Sequence, residues 1–159
     1  MSTTDRYIQC PEIFRSDDLR LMDRTIFLGG GITGCGNWQQ EFAAALRGSG
    51  LVVINPRRND FDVHDPTMTE FQIRWEFHHL RLARARLFWF PPETLCPITL
   101  FELGKHCERA DPLFVGVHPD YQRKIDVEIQ LRLARPHDHV VHYDLGALAE
   151  AARSWARSL

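Results

Sequence analysis

Two glutamates in this 159-residue chain stand where a carboxylate can do more than solvate a surface. Glu102 lies in Ile98-Thr99-Leu100-Phe101-Glu102-Leu103-Gly104, an otherwise apolar segment that reads as the opening of a helix after a Pro-Pro loop. An acid near a helix N-terminus is stabilised by the dipole and stays ionised, the form a carboxylate nucleophile requires. Glu76 has Ile73 at i−3 and Leu80 at i+4, with Gln72 and His79 on its side, so helical spacing sets it beside an apolar stripe. Partial burial there raises its pKa toward neutrality and makes it a usable acid/base. Each residue also has a plainer reading. Glu76 can pair with Arg74 or Arg81 on a surface, and Glu102 with Lys105 or His106 at i+3 and i+4. Two carboxylates on one face suggest glycosidic-bond chemistry, in which one attacks the anomeric carbon while the other protonates the leaving group and later activates the acceptor.

Three further segments bear on ligand binding. In Gly29-Gly30-Gly31-Ile32-Thr33-Gly34-Cys35-Gly36 the glycines permit close backbone approach, and the helix that follows offers free N–H groups to a phosphate or sugar hydroxyl. Gly29, Gly30, Gly31 and Thr33 are the expected contacts; the alternative is a turn that merely packs strand on helix. The run also matches G-x-G-x-x-G, but that fingerprint needs an acid about 20 residues on, at the end of the second strand. Asn55-Pro56-Arg57-Arg58 stands there instead, which disfavours NAD, and no cofactor is implied. Asn55, Arg57 and Arg58, with Asp60 and Asp62 close behind, form either a fork for a ligand's base or phosphate or a solvated ion-pair patch. Trp89, between Phe88 and Phe90, offers a stacking surface for a base or belongs to the core. His78-His79, His106 and Cys107 lack metal-ligand spacing, so no metal is expected.

These residues must be positioned by a framework, and short apolar runs alternate with helical patterns along the chain. Strands are expected at Thr25–Gly31, Leu51–Asn55, Leu87–Phe90, Leu113–Val117 and His139–His142. Helices are expected at about Asn37–Arg47, from Thr69 as cap to Arg84, and at Ile98–Arg109, Arg123–Leu133 and Leu145–Ala156. Such alternation argues for an α/β, doubly wound, three-layer sandwich on a five-stranded, mostly parallel sheet. Residues 23–159 form the domain; 1–22 are an N-terminal extension in which Tyr7–Cys10 can add an edge strand. In such sheets ligands bind at the carboxyl ends of the strands, where the three loops just described fall.

Composition narrows the partners. With 44% hydrophobic and 25% charged residues the chain is that of a globular protein, and a net charge of −2 gives no global attraction to a nucleic acid polymer or an anionic membrane. No apolar run approaches a membrane span, Met1 to Arg6 lacks the pattern of a secretory signal, and four widely spaced cysteines fit reduced thiols, so a cytoplasmic setting is expected.

The segments IFLGGGITGCGNWQQEF, INPRRNDF, QIRWEF, LFWFPPETLCPITLFELG and VHPDYQRKIDVEIQ, from Ile26 to Gln130, resemble the nucleoside 2-deoxyribosyltransferase-like family, in particular its short bacterial single-domain branch. The resemblance implies a flavodoxin-like five-stranded sheet and cleavage of the N-glycosidic bond of a nucleoside or nucleoside monophosphate, the sugar passing to another base or to water. It also implies that the Glu of the E-L-G segment, Glu102, is the nucleophile and that Glu76 is the acid/base. Family members are often dimers or larger, so a homo-oligomer is implied. The family pattern is not kept throughout. Phe27 stands where characterised transferases carry a Tyr that touches the nucleophile, Cys96 where they carry a base-binding Asp, and Glu76 where the acid/base is usually Asp.

Overall fold

The computed structural model describes residues 5–159. Six strands form one parallel sheet in the order β1-β3-β2-β4-β5-β6: β1 (Arg6–Gln9), β2 (Thr25–Gly30), β3 (Val52–Asn55), β4 (Ala85–Phe90), β5 (Leu113–Val117) and β6 (Val141–His142). Helices α1 (Leu19–Met22), α2 (Trp38–Ala45), α3 (Pro66–Leu82), α4 (Pro97–His106), α5 (Lys124–Ala134) and α6 (Leu145–Arg157) lie between and after them. The fold is a doubly wound α/β sandwich, with six strands where five were expected. The sixth is β1, the edge strand allowed for at Tyr7–Cys10, which pairs with β3 from Arg6–Val52 to Gln9–Asn55 and closes an edge that β3 would otherwise leave open.

Period-two alternation sorts the strand side chains into two cores. Ile26 and Leu28 of β2, Val53 of β3, and Leu87 and Trp89 of β4 meet α2 and α6 through Trp38, Phe42, Leu148 and Ala152. Phe27, Val52, Ile54, Phe88 and Phe90 face the other way, against Trp75 and Leu80 of α3, Leu103 of α4, and Val127 and Leu131 of α5. Both faces being covered, the central strands read as continuous apolar runs.

Boundaries differ from expectation where caps were misplaced. Asp65 rather than Thr69 caps α3, its carboxylate accepting from the N–H groups of Thr67 and Met68, and Pro66 occupies the first helical position, where a missing N–H costs nothing. With its start four residues earlier than expected, α3 still delivers Glu76 to the same end of the sheet. Helix α4 begins at Pro97 behind Cys96, a left-handed residue (φ 51°) that makes no side-chain cap. Among the described residues no helix is long and apolar enough to cross a membrane.

Candidate active site

Strand β2 sits between β3 and β4, so the chain leaves it in one direction and later returns to its other side. Neighbouring connections diverge at such a switch point and open a crevice beyond the carboxyl ends of the strands. A cavity of about 390 Å³ lies there, lined by Phe27, Gly29, Gly30, Gly31, Ile32 and Thr33 after β2, by Pro56, Arg58 and Phe61 after β3, and by Gln72 and Glu76 of α3. Thr94, Cys96, Pro97, Ile98, Thr99 and Glu102 complete the wall after β4. A second concavity, of about 460 Å³ between β1 and α2, has Asp5 as its carboxylate, and the backbone N–H groups of Gly48 and Gly50 already occupy that side chain.

The glycine run is shaped by its neighbours. A Cβ on Gly31 would stand 2.8 Å from Pro91 Cγ, 2.9 Å from Thr94 Cγ2 and 3.0 Å from Cys96 Sγ, so only glycine lets the two loops close on each other here. Arg57 holds the loop from outside the cavity: Nη1 donates to Gly36 O at 2.7 Å and Gln39 Oε1 at 3.1 Å, and Nη2 to Cys35 O at 3.2 Å.

Glu76 and Glu102 are both half-buried and face the same space. The surface pairings open to them in the sequence are taken or absent. Arg74 binds Glu70 at 2.7 Å, Arg81 lies over the Phe77 ring, and Lys105 Nζ sits 5.1 Å from the ring centroids of both Phe77 and Phe101. Burial raises the Glu76 carboxyl above the ordinary range, opposed by a hydrogen bond from Gln72 Nε2 to Oε1 at 2.6 Å. Burial, then the negative field of Glu76, push Glu102 up to about 8 against the pull of Lys105. Glu102 was expected to be kept ionised by the helix dipole. It is the sixth residue of α4, past the first turn where that field acts, and desolvation wins.

Of the residues singled out in the sequence, Gly29, Gly30, Gly31, Thr33, Arg58, Glu76, Cys96 and Glu102 share this cavity, while Asn55, Arg57 and Trp89 do not line it. Asn55 is fully buried, donating from Nδ2 to Tyr7 Oη at 2.6 Å and accepting at Oδ1 from Arg57 N at 2.9 Å. Trp89 has the wrong parity on β4: it points to the α2/α6 side, where Gly116 leaves room for its ring. Arg58 lines the wall with its guanidinium bidentate on Asp60 at 2.9 and 3.0 Å. Cys96 directs its thiol to Thr94 O at 3.4 Å, and burial pushes that thiol up to about 11, so it is a neutral, apolar part of the wall. Pro97, Ile98 and Thr99, at the start of α4, were not foreseen; Cys96-Pro97 was the available signal, since proline favours the first helical position.

A family model described as nucleoside 2-deoxyribosyltransferase like matches residues 23–121, a stretch that contains the glycine run and both carboxylates. No curated protein sequence matches the chain.

Proposed function

The chain belongs to the nucleoside 2-deoxyribosyltransferase-like family, and from that premise we propose that it cleaves the N-glycosidic bond of a nucleoside or nucleoside monophosphate through a covalent glycosyl-Glu102 intermediate. The observation that carries this reading is the convergence of Glu76 and Glu102 on one cavity beside Gly29, Gly30 and Gly31. Glu102, as carboxylate, attacks the anomeric carbon while the C–N bond breaks; its electron pair passes to the base, which takes a proton from Glu76. In the second half Glu76, now the carboxylate, takes a proton from water or from an incoming base, whose attack on the anomeric carbon releases Glu102. One proton between the two carboxyls suffices, and like charges in a desolvated site retain one. In the free protein that proton rests on Glu102, whose carboxyl is pushed up to about 8, and it passes to Glu76 before the attack.

The sugar lies against the glycine run and Thr33, and the base against Arg58 and Cys96. No cofactor takes part. Four free thiols suit a cytoplasmic setting, and a homo-oligomer is favoured by apolar side chains left exposed on α3, α4 and α5, among them Phe77, Phe101 and Leu133.

Intact-protein mass spectrometry after brief incubation with pooled 2′-deoxynucleosides and their monophosphates tests the proposal. A sugar-sized adduct on the wild type and none on Glu102→Ala is expected, with the adduct's mass telling whether a phosphate is retained. No adduct and no free base after long incubation would instead favour a non-catalytic nucleotide-binding protein on this fold.

A further inference from the structure

Gln72 precedes Glu76 by one turn of α3 and has every polar position of its amide engaged. Nε2 donates to Pro56 O at 2.8 Å and to Glu76 Oε1 at 2.6 Å, while its Oε1 accepts from Cys10 Sγ at 3.2 Å. A carbonyl such as that of Pro56 can only accept, so the amide nitrogen must face it, and the flipped orientation would set oxygen against oxygen. The remaining N–H is thereby aimed at Glu76 Oε1, and since a hydroxyl oxygen accepts more weakly than a carbonyl or carboxylate oxygen, the donor favours Oε1 as the unprotonated oxygen in either state.

We propose that Gln72 is a positioning residue that reserves Oε1 of Glu76 as a hydrogen-bond acceptor, so that Oε2 is the oxygen that gives the proton to the departing base and later takes one from the acceptor. This rests on the glycosidic reading above. The amide is tied to the chain after β1 through Cys10 and to the chain after β3 through Pro56, which fixes the carboxyl plane of Glu76 relative to the sheet.

The groups facing Glu76 agree with that role. From the loop after β3 comes Arg58, with its charge taken by Asp60 at 2.9 Å. From the end of β1 comes the Cys10 thiol, pushed up by burial to about 12 and therefore neutral. From α4 comes Glu102, with Lys105 acting on it. Gln72 is the group that opposes burial at Glu76 by a hydrogen bond, and no hydrogen-bond donor acts in that way on Glu102. In the free protein Glu76 accordingly ionises first and the shared proton rests on Glu102. When the sugar enters, that proton crosses to Oε2 of Glu76, leaving Glu102 as the carboxylate that bonds to the anomeric carbon. The base then departs with the C–N electron pair and the Oε2 proton.

Two uncharged variants, Gln72→Met and Gln72→Leu, remove the donor without adding a titrating group beside Glu76, and two readouts follow it. The first is the titration midpoint of the Glu76 carboxyl by ¹³C NMR in the free protein. The second is the acid limb of adduct breakdown by water, in which Glu102 is esterified and Glu76 titrates alone. Both midpoints should move to higher pH in both variants, by half a unit or more, a threefold change in the proton-binding constant. A slower reaction with unmoved midpoints would reduce Gln72 to a packing residue and overturn the proposal. If the NMR midpoint moves but the wild type never forms an adduct, the glycosidic reading fails and the assignment of Oε2 falls with it; the hold of Gln72 on Glu76 survives as a separate finding.

Discussion

Arg86, at the start of β4 and 2% exposed, donates from Nη1 to Asp111 Oδ2 at 2.9 Å, and the same oxygen accepts from Arg109 Nε at 2.8 Å. The rest of the Arg86 guanidinium is taken by the carbonyls of Leu80 and Arg81, where α3 ends. This cluster sits at the amino end of the strands, away from the cavity. Asp111→Ala leaves a buried cation without its counter-ion, which costs about 3–5 kcal/mol. Urea unfolding should show that loss at neutral pH with the ligand cavity unchanged. Burial pushes the Asp111 carboxyl up, but Arg109, Arg86 and Arg84 together hold it below the ordinary range. Its contribution is therefore present above the ordinary Asp range and lost as pH falls through the depressed value, so wild type and variant should converge in acid.

Glu102 has the opposite sign. Its folded-state value is raised from the ordinary Glu range to about 8, so the native state holds a proton the unfolded chain has already released. The Glu102 contribution to stability is then fully present below the ordinary Glu range and is lost as pH rises toward 8. Glu102→Gln removes the penalty. Its urea midpoint should match the wild type near pH 4 and exceed it at pH 9, by roughly 2–4 kcal/mol in unfolding free energy. Equal midpoints at pH 9 would mean that Glu102 ionises without cost.

Much of the fold was readable because a sheet covered on both faces writes its strands as apolar runs separated by helical periods. That same coverage hid which way each side chain points. Leu87, Phe88, Trp89 and Phe90 are all apolar, so their order could not say that Phe88 and Phe90 face α3 while Trp89 faces α6. Arg57 and Arg58 are adjacent in the chain, yet one staples the glycine loop from outside and the other lines the cavity. Only the path of the backbone after Pro56 separates them. Helical spacing set Glu76 and Glu102 among apolar residues but left a surface ion-pair reading open for each, and the family resemblance singled them out. The protonation of Glu102 was not legible, since it depends on where α4 starts and on a second carboxylate arriving from α3.

Gly31 offers a direct probe of the cavity wall. Alanine there brings a methyl within 3.0 Å of Pro91, Thr94 and Cys96, so the loop before α4 must retreat or the glycine run must shift. Overpacking of this kind costs about 1–3 kcal/mol of stability. With the two carboxylates left in place, the loss in function should fall on substrate binding, as a KM raised about tenfold with a smaller change in kcat. Steady-state kinetics on the best nucleoside from the adduct screen would read it.

Apolar side chains stand exposed on the outer surface of α3, α4 and α5. Ile73, Phe77, Phe101, Ile125, Ile129 and Leu133 are 41–69% exposed, although the inward residues of the same helices share one core. A monomer's largest apolar patch is normally a few hundred Å², whereas a stable pair buries about 800 Å² on each partner. Light scattering should therefore find a dimer or larger assembly, and Phe77→Glu or Ile129→Glu should shift it to monomer while the circular dichroism spectrum is retained. A monomeric wild type at micromolar concentration would leave that surface without a second copy to cover it.

Phe27 lines the cavity with Glu102 from the centre of β2, and a phenyl ring has no proton to offer a carboxylate. Phe27→Tyr adds a hydroxyl at a buried, otherwise well-packed position. A hydroxyl that reaches Glu102 favours its ionised form and draws the shared proton toward Glu76, the distribution that the proposed first half-reaction needs. A one-unit fall in the Glu102 midpoint from about 8 would raise its ionised fraction at pH 7 about fivefold. The burst rate of adduct formation, followed by rapid-quench mass spectrometry, should rise by a similar factor at neutral pH. The gain should vanish above pH 9, where Glu102 is ionised in both proteins. A uniform change across pH would instead mean that the new hydroxyl alters packing or substrate position without touching Glu102.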